Sequence, residues 1–415
     1  MKKNVGIITI HYVDNLGGAL LAFALQESVD RMGYNCYIID YDPTLLPSRR
    51  SYLINSIVRR ILRIPIYLRD FRYYFNLLVK SHGSVLPPMH MHRSVGLRKT
   101  RFDSFRWKYF KLSEHHYNSS ESLKKSSPQY DAYICGSDQI WNPFICKEPD
   151  QARNDPAYFL TFASEIKRIS YAPSIALPSI PEKFREEMTE MLQGIPYLSS
   201  REKQGAELIK ELTGRDAKVV VDPTLLLNSD QWNQIATEPQ IKSPYILCYF
   251  LGDGQEYRNF AEQLNKKTGY RLIVISQKLH DLETLDPINC SDAGPAEFLG
   301  LVKNASCVCT DSYHGTIFSI NFKRPFYVFE RPGSFGTQSS ATRIYSILDL
   351  LGLTSRLMKS DMPIPETPLQ IDYSEAEILL QKERAQSLHY LEDALKEVTR
   401  YGINAVSGTD EHSQK

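Results

Sequence analysis

Short apolar runs rich in β-forming residues alternate with helical stretches along most of this 415-residue chain. VGIITI and YNCYIIDY stand on either side of the helical LLAFALQESVDRM, and near Ser243 the same order resumes with YILCYFLG. Such alternation is typical of parallel sheets wrapped by helices. We therefore predict an α/β protein with two Rossmann-like domains that face each other across a cleft, where ligands bind beyond the carboxyl ends of the strands.

The two blocks predict a division of the chain into an N-terminal domain over residues 1–242 and a C-terminal domain over residues 243–400. Residues 401–415 are polar and lack aromatic side chains, which predicts a flexible tail. Ser374 followed by Glu377 has the spacing of a capping box and predicts the start of a final helix that packs across both domains.

A basic segment over about residues 49–111 predicts a helical insertion in the first domain. It contains about fifteen Lys and Arg residues and only Asp70 and Asp103, although the whole chain has a formal charge of +1. Interleaved aromatic and aliphatic side chains allow two interpretations. Either the segment lies on an anionic membrane surface, or it is a solvated helix pair that packs on its own domain. Nucleic acid is a weaker expectation, because no recognition motif accompanies the charge.

The cysteines predict a reducing compartment. Seven are scattered along the chain without a CxxC pair, and Cys307 and Cys309 are spaced for core packing rather than for zinc. Arginines interrupt the apolar stretch from Leu53 to Val79, so it falls short of the roughly 20 apolar residues that span a bilayer. We expect a cytoplasmic protein, soluble or peripheral at the inner face of the membrane, with no bound metal.

Two segments of the first domain combine turn residues with polar side chains at predicted strand ends. In NLGGALLAFALQ, Asn15, Gly17 and Gly18 open a helix whose free amides favour an anion, although a plain strand-to-helix turn is the alternative. The turn GSDQIWNP follows another strand and suits a sugar-binding surface or an ordinary loop. Its candidates are Ser137, Asp138, Gln139, Trp141 and Asn142.

Two further segments bring cations and a histidine to strand ends. Arg201 in SSREKQG would present a planar fork to a carboxylate or phosphate, with Asp222 after the following strand, or would form an ordinary salt bridge. In CTDSYHGTIFSI, a helix opens at His314, where an imidazole can bind phosphate or transfer a proton. Arg331 and Arg343 follow downstream and could reach the same cleft.

Five segments together resemble the polysaccharide pyruvyl transferase family, over about residues 4 to 352. They are NLGGALLAFALQ, CGSDQIWNP, SREKQGAELIKELTG with VVVDPTLLL, TDSYHGTIFSI, and SSATRIYSILDLLGL. The resemblance implies a GT-B-like fold, phosphoenolpyruvate as donor, no cofactor, and a sugar of a surface glycan as acceptor. The family's histidine corresponds to His314. Tyr313 stands where the family usually has an arginine, so that contact would pass to Arg201, Arg331 or Arg343.

On this resemblance we assign His314 as the residue that donates or relays a proton, or that binds the phosphate. From sequence order alone, which places its loop on the other side of the cleft, we assign Asp138 as the residue that orients or deprotonates the acceptor hydroxyl. The second domain becomes the donor side and the first domain the acceptor side. The predicted donor-binding residues are Arg201, Ser312, Tyr313, Gly315, Thr316, Arg331 and Arg343. The predicted acceptor-binding residues are Asn15, Gly17, Gly18, Ser137, Gln139, Trp141 and Asn142.

The resemblance implies transfer of pyruvate to a sugar as a ketal, during exopolysaccharide or capsule biosynthesis. A lipid-linked saccharide at the membrane fits the cysteines, the donor and the basic segment together. Two alternatives remain open. One is a nucleotide-sugar-dependent GT-B glycosyltransferase, which shares the architecture, and the other is a non-catalytic scaffold in a glycan assembly complex.

Overall fold

The structure is a computed structural model that describes residues 2–44, 89–145, 152–275, 288–331, 339–359 and 362–404. Most of the predicted basic insertion, Cys146 and the end of the predicted tail, residues 405–415, lie outside these ranges. Within them, no helix combines the length and the apolar character needed to cross a membrane.

A five-stranded parallel sheet with the order β3-β2-β1-β4-β5 forms the centre of the first half. Its strands are β1 (Asn4–Ile8), β2 (Asn35–Tyr41), β3 (Leu112–Tyr117), β4 (Ala132–Cys135) and β5 (Arg168–Ser170). β1 pairs with β2 and β4 in parallel register, and Val5, Ile7 and Ile8 are fully buried. Burial on both faces of the sheet explains why these strands are continuous apolar runs in the sequence.

A short parallel pair, β6 (Ser199–Ser200) with β7 (Lys218–Val219), lies between the two main sheets in sequence. The second main sheet has six strands in the order β10-β9-β8-β11-β12-β13, all parallel. They are β8 (Tyr245–Tyr249), β9 (Arg271–Val274), β10 (Ile288–Asn289), β11 (Cys307–Thr310), β12 (Phe326–Phe329) and β13 (Leu357–Met358). Two parallel sheets confirm the predicted fold class. The boundary at residue 242 stays a prediction, and it falls between the two main sheets.

The helices surround these sheets. They are α1 (Leu16–Arg31), α2 (Met89–Tyr109), α3 (Ser120–Lys125), α4 (Glu182–Gln193), α5 (Lys203–Thr213), α6 (Ser229–Asn233), α7 (Gln255–Thr268), α8 (Pro295–Asn304), α9 (Tyr313–Asn321), α10 (Ser339–Leu350) and α11 (Ser374–Asn404). α2 lies in the described part of the predicted insertion, whose extent stays a prediction. α1 is buried on most sides, because it packs on β2 and also against α8 of the second half.

The last helix, α11, contacts both halves, as predicted. The Tyr390 hydroxyl donates to the Ser170 carbonyl at the end of β5, and Glu377 pairs with Lys323 of the second half. Directly before the helix, the Tyr373 hydroxyl donates to the Arg324 carbonyl before β12. The predicted capping box is wrong, however. Ser374 is the first helical residue, and its amide and hydroxyl both donate to Asp372 Oδ1, at 2.9 and 2.7 Å. The Glu377 carboxylate instead pairs with Lys323, 2.7 Å away.

Trp232 joins the halves through one shared hydrophobic core. Its ring lies 5.8 Å from that of Phe23 in α1 and 5.0 Å from that of Phe318 in α9, measured between centroids. The indole N–H donates to the Thr224 carbonyl at 3.0 Å, so the ring is buried with its polar atom satisfied. This packing holds α1 and α9 together, and both helices begin at the candidate site described below.

We expect Trp232→Ala to lower the free energy of unfolding by about 3–5 kcal/mol, because it removes a fully buried indole and leaves a cavity between the halves. Urea denaturation followed by circular dichroism measures the change. Trp107→Ala is the matched control, since that side chain is 88% exposed. Equal effects of the two substitutions would contradict the shared core.

Candidate active site

The helix α9 places His314 at the carboxyl edge of the second sheet. β11 ends at Thr310, and Ser312 caps the helix by accepting a hydrogen bond from the Gly315 amide at 3.4 Å. A methyl group on Gly315 would overlap the Thr310 hydroxyl, so only glycine fits this tight strand-to-helix turn. Thr316 donates its hydroxyl to the Ser312 carbonyl at 3.0 Å. Ser312, Gly315 and Thr316 therefore hold the helix start that presents His314.

Arg201 is the centre of a buried charge cluster at the edge of the first half. Its Nη1 lies 2.7 Å from Asp222 Oδ2, and its Nε lies 3.2 Å from Glu202 Oε1. The Thr224 amide and hydroxyl donate to the other Asp222 oxygen at 2.9 and 2.7 Å. Burial lowers the pKa of Arg201, but the charges of Glu202 and Asp222 more than reverse this, so the pKa is raised. The guanidinium is a permanent cation with its carboxylates in place.

His314 reaches this cluster from the second half. Its Nε2 lies 3.8 Å from Asp222 Oδ2, and its ring packs against the backbone of Gly17 at the start of α1. Burial lowers the pKa of His314, the Asp222 charge opposes that effect, and the Arg201 charge adds to it. Among the described residues, neither His314 Nε2 nor Arg201 Nη2 has a hydrogen-bond partner, although both atoms are buried. Buried polar atoms of this kind point to a ligand.

The Tyr313 ring contacts two guanidinium groups. Its ring centroid lies 5.2 Å from Arg201 Cζ and 5.5 Å from Arg343 Cζ. Arg343 comes from α10, and its Nε is 4.0 Å from Glu202 Oε1. Burial lowers the pKa of Arg343, and the Arg201 charge adds to that effect, whereas burial raises the pKa of Tyr313. A neutral ring therefore contacts both cations, and each contact is favourable.

The turn after β4 brings Asp138 close to the same charges. Asp138 has a positive φ of 83°, which is rare for a residue with a side chain. The Ser174 amide holds this conformation by donating to the Asp138 carbonyl at 2.9 Å, and the Ser174 hydroxyl donates to Glu202 Oε1 at 2.6 Å. Arg201 Nη1 also donates to the Ser137 hydroxyl at 3.4 Å. The Asp138 charge favours the protonated forms of Arg201, His314 and Arg343.

Two predicted acceptor residues have structural contacts instead. The Trp141 ring is buried and stacks on Phe159, and its N–H donates to the Tyr158 carbonyl at 3.1 Å. Packing in the core thus replaces the aromatic platform predicted for it. Asn142 is also buried, and its side-chain oxygen accepts from the Phe144 amide at 2.9 Å.

The remaining candidates lie around the cluster. Gln139 is half-buried, and its amide donates to Asp138 Oδ1 at 2.9 Å. Asn15 caps α1 by accepting from the Gly18 amide at 2.9 Å. Arg331 lies with Asp311, 3.3 Å from Nε to Oδ2, and Asp311 also accepts from two backbone amides after β8. Their binding roles stay predictions.

Glu202 and Ser174 are the site residues that the sequence did not indicate. Glu202 connects both arginines and, through Ser174, the Asp138 turn. Its position directly after Arg201 was the available signal. Arg201 and Glu202 both lie between the end of β6 and the start of α5, where no periodic pattern indicates which way a side chain points.

A cavity of about 370 Å³ opens beside these charges. Its polar lining includes Arg201, Asp222, Tyr313 and Arg343, and its apolar lining includes the strand around Val220 and the side of α10 at Ile347. Within the described ranges, no group of three His, Cys, Asp or Glu side chains is arranged to hold a metal ion. The cavity thus combines two buried cations with apolar walls, and His314 lies 3.8 Å from Asp222, one of its lining residues.

Comparison with known families decides the assignment of the chain. The family model described as polysaccharide pyruvyl transferase matches residues 15–332, which contain His314, Arg201 and Asp138. The chain belongs to the polysaccharide pyruvyl transferase family. No curated protein matches the sequence.

This pyruvyl transferase family member is also similar to solved structures of low sequence identity. UDP-GlcNAc 2-epimerase from Methanocaldococcus jannaschii is 12% identical, with 91% of this chain and 98% of that chain covered and a TM-score of 0.38. MurG from Acinetobacter baumannii is 10% identical, with coverage of 98% and 99% and a TM-score of 0.36. The E. coli heptosyltransferase WaaC is 11% identical, with coverage of 91% and 99% and a TM-score of 0.36.

The contact between Gly17 and His314 gives a prediction that does not depend on activity. We expect Gly17→Ala to displace the imidazole, because the added methyl group would overlap its ring. The His314 Cε1–H signal in an NMR spectrum of the histidine side chains should shift. Gly18→Ala is the matched control, since its added methyl group would meet nothing closer than 3.5 Å. An unchanged His314 signal in Gly17→Ala would contradict the described contact.

Proposed function

We propose that this pyruvyl transferase takes phosphoenolpyruvate as its donor and binds it at the cavity beside Arg201 and Arg343. The observation that carries the proposal is the pair of buried guanidiniums that both contact the Tyr313 ring, with His314 at the edge of the same cluster. The donor has a carboxylate and a phosphate, the two anionic groups that arginine binds through paired N–H donors. The cavity volume is sufficient for a small metabolite.

The residues support a reaction in two stages. His314 donates a proton to the methylene carbon of the donor while one acceptor hydroxyl adds to C2, which gives a tetrahedral adduct that still carries phosphate. The second hydroxyl then displaces phosphate from C2, and the ring closes as a ketal. Asp138 accepts the proton of the acceptor hydroxyl. It comes from the first half of the chain, whereas His314 comes from the second half. Arg201 and Arg343 donate hydrogen bonds to the anionic groups of the donor throughout.

Thermal unfolding tests the donor. We expect phosphoenolpyruvate at about 100 times its Kd to stabilise the native protein by about 2.7 kcal/mol, whereas UDP has no effect. Arg343→Met should weaken donor binding at least about tenfold, because it removes one of the two cations that contact the ring. Arg185→Met is the matched control, since Arg185 pairs with Glu211 away from the cavity. Stabilisation by UDP alone would instead favour a nucleotide-sugar glycosyltransferase, and silence from both ligands would favour a scaffold.

The same experiment separates two predicted donor arginines. Arg331 lies with Asp311, whereas Arg343 lies with the Arg201 cluster. We therefore expect Arg331→Met to lose less affinity for phosphoenolpyruvate than Arg343→Met. The opposite ranking would move the donor to the side of Asp311.

For the acceptor we propose a lipid-linked saccharide at the inner face of the membrane, in the biosynthesis of a surface polysaccharide. The outer face of α2 supports this location. The side chains of Phe102 and Phe105 are buried, whereas Trp107 is 88% exposed next to the exposed Lys108. Tryptophan and lysine together are typical of surfaces that lie at a bilayer interface.

Tryptophan fluorescence tests the membrane contact, because Trp107 is the exposed tryptophan and the other two should respond little to vesicles. The chain has three tryptophans, and Trp141 and Trp232 are buried. Vesicles with anionic lipid should therefore blue-shift the emission of Trp107, and Trp107→Ala should reduce co-sedimentation several-fold. Phe144→Ala is the matched control, as an aromatic side chain exposed elsewhere. Equal binding of wild type and Trp107→Ala would exclude this surface as the contact.

A further inference from the structure

The buried charges of the site are already balanced before any ligand binds. Arg201 and Arg343 supply two positive charges, and Asp222 and Glu202 supply two negative ones within 4.0 Å of them. Asp138 adds a negative charge close enough to act on both arginines. His314 is neutral in this cluster, because burial lowers its pKa. The site therefore has no surplus of positive charge to offer an anion.

The donor would add a large negative charge to this balanced site. Its phosphate carries about two negative charges at pH 7.5 and its carboxylate carries one. Buried charge without compensation costs several kcal/mol even after relaxation. Two arginines that already have carboxylate partners cannot compensate the donor by themselves.

We propose that the protein takes up one proton when phosphoenolpyruvate binds, and that His314 holds it. This inference rests on the proposed function. The charged and titratable groups that face His314 are Asp222 from the strand end, Arg201 beside it, Asp138 from the turn after β4 and Arg343 from α10. Tyr313 precedes it on α9, and Gly17 of α1 contributes only backbone.

His314 is the group in this set best suited to accept the proton. The arginines are already protonated. The Asp222 carboxylate accepts three hydrogen bonds at 2.9 Å or less, and the Glu202 carboxylate accepts from Ser174 and Arg201, so protonation of either would break contacts. His314 Nε2 has no hydrogen-bond partner among the described residues, so a proton there breaks none. A donor anion nearby then stabilises the imidazolium.

The proton taken up is also the proton that the reaction consumes. The methylene carbon of the donor must gain one proton to become the methyl group of the ketal. The two acceptor hydroxyls lose two protons, of which one leaves with hydrogen phosphate and one replaces the proton given by His314. Atoms and charge therefore balance without an additional acid. Binding of the donor would therefore protonate His314 before the first stage of the reaction.

Calorimetry measures the uptake directly. Phosphoenolpyruvate is titrated into the full chain at pH 7.5 in HEPES and in Tris, and the dependence of the heat on buffer ionisation enthalpy gives the number of protons. We expect close to one for the wild type and close to zero for His314→Gln. His389→Gln, which removes an exposed histidine paired with Asp393 on α11, should leave the uptake unchanged.

The sign of the pH dependence follows. Uptake requires a higher His314 pKa in the complex than in the free protein, so donor affinity should fall as pH rises through the pKa of the complex, by up to about tenfold per pH unit. Uptake that persists in His314→Gln, or no uptake in the wild type, would overturn the inference. If His314→Gln does not bind, the NMR titration of His314 in the wild type decides, since its pKa must rise with phosphoenolpyruvate. Absence of any donor binding would instead reject the proposed function.

Discussion

The burial of the Arg201 guanidinium is the constraint on which the site depends. A buried cation needs carboxylate partners, and removal of one partner from such a pair costs about 3–5 kcal/mol. Asp222 and Glu202 meet this need at 2.7 and 3.2 Å. Each carboxylate is in turn fixed by hydroxyl or amide donors from Thr224 or Ser174. The Arg201 charge thus fixes three segments of the first half, which contain Ser174, Glu202 and Asp222.

The second half meets this cluster through a position without a side chain. Gly17 opens α1, and the His314 ring occupies the space that any other residue there would fill. The start of α1 therefore has two roles. Asn15 caps the helix, and Gly17 leaves room for His314 of the second half to approach Asp222 to within 3.8 Å. Packing around Trp232 keeps both helices in this arrangement.

The strands and helices that have a hydrophobic pattern of their own could be predicted from the sequence. The apolar runs of β1 and β8 and the helices between strands follow from their own residues. The pairing of β6 with β7 does not, because two residues per strand carry no period and long-range contacts decide it. The cap of α11 shows the same limit. The sequence predicted a capping box of Ser374 and Glu377, but the Ser374 amide donates to Asp372 instead. Which of several nearby polar side chains accepts such a hydrogen bond depends on local geometry.

The site residues that could be predicted are charged or ionisable side chains at the ends of strands. Arg201, Asp222 and His314 stand at strand ends, where the topology brings loops together. Glu202, Ser174 and the burial of Trp141 depend on tertiary packing, which no local pattern records. The choice between Arg331 and Arg343 likewise follows from their partners, Asp311 and Glu202, rather than from their spacing.

Tyr313 explains how two arginines can occupy one small site. An arginine at this position would place three guanidiniums against two buried carboxylates and leave one cation unbalanced. The tyrosine ring presents a face to each guanidinium, and each such contact stabilises the cluster by about 0.5–2 kcal/mol. Because burial raises the pKa of its hydroxyl, the ring stays neutral and adds no charge. The second cation can therefore come from α10, where Glu202 also reaches it.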